Sequence, residues 1–114
     1  LLSPLEMRDF IDSFDSPFVQ AYFDVGNILL YGYPHHWVEV LGRRIVRVHI
    51  KDFHTSTRQF VALLTGDVDY PRVMSALRGV GYNGWLTAEL ALYRQFPELF
   101  VRETAAHLQA ISEC

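Results

Sequence analysis

Alternation constrains this chain most: short β-patterned stretches separated by helix-patterned ones. Residues 18–24 (FVQAYFD), Ile45–Ile50 (IVRVHI) and residues 85–90 (WLTAEL) read as strands. Their valine, isoleucine and aromatic content suits a pleated, half-buried surface. Four helix patterns surround them. The first opens on Ser3-Pro4-Leu5-Glu6, a capping box with proline in the first turn. Leu5, Phe10, Ile11 and Phe14 form its apolar stripe. The second is short, from His35 to Leu41, closed by Gly42. The third is capped by Asp69 or Tyr70, carries Pro71, and turns Val73, Met74, Leu77 and Val80 to one side. The last runs from Phe96 to Ile111, with Phe100, Ala105, Leu108 and Ile111 as expected contacts. Residues 51–68 read as one long connection. Strands alternating with helices imply βαβ units and a parallel sheet.

Side chains alternate along a strand, so each face can be read separately. Val19, Ala21 and Phe23 share one face of the first strand, opposite Phe18, Gln20, Tyr22 and Asp24. Val46, Val48 and Ile50 share one face of the second, opposite Ile45, Arg47, His49 and Lys51. Leu86, Ala88 and Leu90 oppose Trp85, Thr87 and Glu89 in the third. The apolar face of each strand is expected to lie under helices. The other face ends in an acid or a histidine. Parallel strands bring those ends to one rim, so Asp24, His49 and Glu89 are expected to converge.

Two carboxylates and an imidazole at one rim suit a divalent cation. Mixed oxygen and nitrogen donors fit Mn²⁺, Co²⁺, Mg²⁺ or Zn²⁺. Each residue alone has a plainer use: Asp24 as a helix cap, His49 as a packed histidine, Glu89 as an ion-pair partner. Coincidence on three strands favours the metal. Lys51 shares the His49 face, where it would contact substrate or pair with Asp52 or another neighbour. His35-His36-Trp37 sits at a helix start and reads as surface or packing. His54 reads as a loop histidine, and Trp85 and Tyr22 as interior filling.

Composition removes several function classes. The 114 residues carry a formal charge of -3, against the basic patch that nucleic acid requires. The one cysteine, Cys114, forms no disulfide within the chain, which fits a cytoplasmic location. No apolar run approaches the ~20 residues that span a bilayer. The opening LLSPLEMRDF lacks initiator Met and the marks of a signal peptide. It begins almost on a helix, so the chain is expected to be a piece of a longer protein. Three strands leave two sheet edges unpaired, so more chain or a partner, such as a second copy, is expected to cover them.

Four stretches carry a family resemblance: DVGN (24–27), RIVRVHIKD (44–52), GDVDYPRVMSALRGVGYNG (66–84) and WLTAEL (85–90). Together they resemble the sugar phosphate isomerase/epimerase superfamily of xylose-isomerase-like TIM barrels, in particular the ketose 3-epimerases. The resemblance implies that residues 1–114 are the C-terminal part of a (β/α)8 barrel, about strands six to eight with flanking helices. It implies a metal held by Asp24, His49 and Glu89, with a fourth ligand, a glutamate, on an earlier strand. It also implies that Glu89 exchanges a proton beside the carbonyl of a small sugar or sugar phosphate, through an enediolate. Asn27 stands three after Asp24, where some sugar epimerases carry a substrate-contacting histidine. Arg58, in the long connection, is a candidate for a phosphate or sugar oxygen, although not at the tagatose-epimerase-like spacing. With one of the two acid/base groups present, the chain alone is expected to be inactive. A hydroxypyruvate isomerase or an inosose-type dehydratase would use the same scaffold. A nuclease of the endonuclease IV type would need more His and Asp ligands and a basic face, and neither is evident. A non-catalytic packing or oligomerisation module would bind no metal.

Overall fold

The computed structural model describes residues 2–114. Helix α1 (Pro4–Asp12) is followed by strand β1 (Ala21–Asp24), the single turn α2 (Val25–Ile28), and α3 (Pro34–Leu41). A 3-10 turn at Gly42–Arg44 leads into β2 (Ile45–Ile50). Then come β3 (Asp52–His54), β4 (Gln59–Val61), α4 (Tyr70–Gly79), β5 (Leu86–Ala88) and α5 (Pro97–Ser112). Strands β1, β2 and β5 form one parallel sheet with β2 in the middle. The family resemblance anticipated this α/β arrangement, and parallel neighbours do require the intervening helices.

Local chemistry sets the helix ends. The Ser3 hydroxyl accepts the Leu5 N–H, and Glu6 Oε2 accepts the Ser3 N–H at 3.2 Å. Those bonds satisfy donors that a helix start leaves free. Asp69 caps α4 by accepting the Arg72 N–H at 3.1 Å.

The core lies between one sheet face and the helices. Phe23, Val48 and Ile50 meet Val38, Leu41, Val73, Leu77 and Ile111 there. Val48 and Ile50 are fully buried, each stabilising by roughly 1.5–3 kcal/mol relative to exposure. Helix α3 packs against α1 and α4, and α5 reaches α4 and β5. The opposite sheet face is open, with Tyr22, Val46 and Trp85 exposed.

Several expected details change. The first strand starts at Ala21, not Phe18, because β2 begins at Ile45 and offers residues 18–20 no partner. Phe18 is 94% exposed. The pairing steps from Ala21↔Ile45 to Tyr22↔Arg47, so Val46 is the extra residue of a bulge. Alternation restarts there, which buries Ile45 and exposes Val46, the reverse of the simple period-2 pattern. Of the α1 stripe, Ile11 is buried while Leu5, Phe10 and Phe14 stay exposed. Ala105 faces solvent, whereas Ile111 anchors α5. Trp85 and Tyr22, read as filling for a barrel interior, are exposed among the described residues.

Residues 51–68 are not a plain loop. Strands β3 and β4 make an antiparallel hairpin there. Its base is held by Asp52, which is buried. The carboxylate accepts the N–H groups of Phe53, Gly66 and Val68 at 2.9, 3.1 and 3.3 Å. A Cβ at Gly66 would run into that carboxylate. Asp52→Ala strands three backbone donors and is expected to lose about 3 kcal/mol of stability. Asp52→Asn, which keeps an acceptor, is expected to lose less. Urea unfolding midpoints of the two variants check this order.

Candidate metal centre

The parallel register builds the rim directly. Asp24 at the end of β1 pairs with His49 of β2, and His49 pairs with Thr87 of β5. Glu89 lies two residues past Thr87, on the same face. Its N–H still donates to the Ile50 carbonyl at 3.1 Å, which extends the ladder beyond β5. His49 Nδ1 lies 3.7 Å from Asp24 Oδ2 and 3.5 Å from Glu89 Oε2. One donor atom from each of the three lies within 4.8 Å of the others.

Asp24 has two tasks. Its Oδ1 accepts the Asn27 N–H at 2.8 Å and caps α2. The sharp entry into α2 needs Gly26, since a Cβ there would sit 2.7 Å from the Lys51 carbonyl oxygen. The other oxygen, Oδ2, is buried and has no hydrogen-bond partner. A buried, unpaired carboxylate oxygen is costly, and a cation would give it a partner. The donor set therefore fits a divalent ion: two carboxylates and an imidazole around one point.

The two acids are unlike. Burial pushes the Asp24 carboxyl above the ordinary carboxylate range, and proximity to Glu89 adds to this. Glu89 is held below its ordinary range, chiefly by the Lys51 amine and then by Asp24. Lys51 Nζ donates to Glu89 Oε2 at 3.0 Å. The same amine lies 4.2 Å from the centre of the Phe60 ring. Lys51 thus pairs with Glu89 and not with Asp52, which is committed to backbone donors. Tyr22 stacks beside His49 with ring centres 4.2 Å apart.

The remaining candidates stand differently. Asn27 is next to the cluster and meets Asp24 through its backbone N–H. Arg58 lies in the exposed turn of the hairpin, at φ 55. His54 sits at the hairpin's end, 3.0 Å from the Ser56 hydroxyl. His35 and His36 meet edge to face at the start of α3 while Trp37 is buried, in keeping with packing and surface roles. The pattern of residue types did not announce Phe60 or Tyr22 as neighbours of the site. Tyr22 had one signal, its place on the Asp24 face of β1.

Asp24→Asn separates the two tasks of this carboxylate. Asparagine also caps helices well and carries no charge. The folded state holds the Asp24 proton more tightly than the unfolded chain does. Ionisation therefore costs stability as pH rises from the unfolded value through the raised folded one, and the cost persists above it. Metal-free Asp24→Asn is expected to be more stable than the parent at neutral pH and to show a flatter pH profile. Urea unfolding in the presence of a chelator measures this. A clear loss of stability would contradict it.

Residues 2–111 match the family described as xylose isomerase-like TIM barrel. No curated protein matches the chain. A xylose isomerase domain protein from Planctomyces limnophilus is similar in structure, with a TM-score of 0.73 and 26% identity, covering 98% of this chain and 45% of that one. The D-allulose 3-epimerase from Methylomonas sp., solved with D-allulose, aligns at a TM-score of 0.68 and 24% identity, over 92% of this chain and 35% of its own. An L-ribulose 3-epimerase aligns at 0.68 and 23%, over 92% and 34%. The chain spans less than half the length of these structures. Among the described residues no helix is long and apolar enough to cross a membrane.

Proposed function

This chain belongs to the xylose isomerase-like TIM barrel family, and on that premise we propose that it is the C-terminal part of a divalent-metal-dependent isomerase or epimerase of a sugar or sugar phosphate. The observation that carries this is the meeting of Asp24, His49 and Glu89 within 4.8 Å at the C-terminal edge of a parallel sheet. That edge is where barrel enzymes place their chemistry. The DVGN, RIVRVHIKD, GDVDYPRVMSALRGVGYNG and WLTAEL stretches, which resemble the sugar phosphate isomerase/epimerase superfamily, support a sugar or sugar phosphate as the substrate class.

Asp24, His49 and Glu89 would hold Mn²⁺, Co²⁺, Mg²⁺ or Zn²⁺. A bound divalent cation supplies positive charge beside a substrate carbonyl, which eases loss of a proton from the adjacent carbon. Glu89 would be the group that takes that proton. Its carboxylate is half exposed, open toward the solvent side of the rim, and Lys51 keeps it ionised and oriented. Asp24 is anchored by the α2 cap and so presents a fixed oxygen. His49 is fixed between two strands and leaned upon by Tyr22. Asn27, Lys51 and Arg58 are the candidates for sugar or phosphate oxygens. Epimerisation also needs a donor on the opposite face of the substrate. That group, and a fourth ligand, would come from strands that complete the barrel, so the chain by itself is inactive in this proposal.

Two experiments test it. Mn²⁺ is expected to raise the unfolding temperature of the chain, and at about 100 times its dissociation constant to add about 2.7 kcal/mol. His49→Ala is expected to abolish that shift; a shift unchanged in the variant would refute the site. In the protein expressed with the rest of its barrel, Glu89→Gln is expected to lower ketose epimerisation at least ~100-fold while leaving the fold intact. Deuterium incorporation from D₂O reports the proton step, and unchanged incorporation would remove Glu89 from its role.

A further inference from the structure

The hairpin carries one ring that burial does not explain. Phe60 is 48% exposed, yet its place is fixed. The β3–β4 register sets it directly opposite Phe53, and opposed residues share a face. Lys51 stands two residues before Phe53, so alternation sends its side chain to that same face. The Phe53 and Phe60 rings meet with centres 5.2 Å apart, and Phe53 is buried. Phe60 is thus braced by Phe53 and presents its ring to Lys51 Nζ, which lies 4.2 Å from the ring centre. An ammonium within about 6 Å of a ring centre is attracted by the negative face of the ring.

The backbone beneath this contact is tied down. The Lys51 carbonyl accepts the Tyr70 hydroxyl at 3.3 Å. The adjoining Asp52 carboxylate gathers the N–H groups of Phe53, Gly66 and Val68. The lysine stem is the flexible part. Its ammonium donates to Glu89 Oε2 at 3.0 Å, and the Glu89 side chain is half exposed. A solvated ion pair is worth little, and it holds two long side chains poorly. One geometry for the pair needs a second restraint, and the Phe60 ring supplies it. Phe60 also forms part of the wall of a cavity of ≈ 230 Å³ beside the pair. Without the ring, the lysine stem is free to swing into that space.

We propose that Phe60 is a positioning residue: its ring holds the Lys51 ammonium, and through it the Glu89 carboxylate, in the orientation from which Glu89 exchanges the substrate proton. This role rests on the isomerase or epimerase activity proposed above and adds a residue to it. It needs no contact between Phe60 and the substrate or the cation. An aliphatic side chain of similar bulk would fill the same space without attracting the ammonium. The role therefore requires an aromatic ring at position 60, not merely an apolar group.

The test uses the protein expressed with the rest of its barrel and loaded with Mn²⁺. Deuterium incorporation from D₂O is read on the fastest of D-fructose, D-ribulose and their terminal phosphate esters. Phe60→Leu is expected to lower kcat about fivefold and to leave KM within about twofold of the parent. Phe60→Tyr, which keeps the ring, is expected to stay within about twofold of the parent in kcat. Lys51→Met keeps the stem and removes the ammonium. In that background Phe60→Leu is expected to change kcat by less than about twofold, because residues acting in one chain of contacts do not add. Ring-current shifts of the Lys51 ε-protons report the contact without turnover. They are expected in the metal-free parent and in Phe60→Tyr, and lost in Phe60→Leu. A raised KM at unchanged kcat would make Phe60 a substrate contact. A parallel fall in Mn²⁺ affinity, read by EPR, would trace the loss to the cation. An undiminished effect in Lys51→Met would detach Phe60 from the lysine. Each of these overturns the role, as does an unshifted Lys51 in the parent. Exchange that survives intact in Phe60→Leu removes Phe60 alone. No exchange from any of the sugars in the Mn²⁺-bound parent removes the activity on which the role rests, and the role with it.

Discussion

The hydrogen-bonded register of β2 with both neighbours is the constraint on which the site depends. Asp24 faces His49 across one ladder, and His49 faces Thr87 across the other. A slip by one residue in either pairing would turn one donor to the helix-covered face. The bulge at Val46 lies at the start of β2 and is absorbed before the pairs that matter. Buried side chains hold the register: Phe23, Val48 and Ile50 are anchored under the helices. The apolar face thus fixes, by its own packing, where the polar face puts its charges.

At the rim, stability and chemistry pull against each other. Asp24 spends one oxygen on the α2 cap and leaves the other buried without a partner. Glu89 is more exposed and leans on Lys51. The hairpin supports that lysine through Phe60, and Asp52 supports the hairpin by gathering three N–H groups. A buried staple in a surface excursion therefore reaches, through a ring and an amine, a carboxylate at the candidate metal centre. Positions whose local cost has no structural return are where function is to be sought.

Much of this was legible in one dimension. Period-2 alternation named the face of Asp24, His49 and Glu89, and helix caps at Ser3 and Asp69 were visible as residue types. The hairpin was not, because Asp52-Phe53-His54 and Gln59-Phe60-Val61 are short and flanked by charged and hydroxyl residues. Its stability comes from Asp52 reaching Gly66 and Val68, contacts 14 and 16 residues away. The bulge was equally hidden, since nothing in IVRVHI marks Val46 as the unpaired member. Lys51 had two plausible carboxylates nearby in sequence or space, and only packing assigned it to Glu89.

By itself the sequence determined the alternating α/β order, the polar ends of three strands and the absence of any disulfide within the chain. Those follow from residue type and local spacing, which act over a few residues. Tertiary structure alone decided the 4.8 Å convergence of the donors, the solitary Asp24 oxygen, the partner of Lys51 and the walls of the cavity beside it. Each of these depends on side chains tens of residues apart being brought together, and that is settled by how strands register and helices pack, not by the order in which the residues are written.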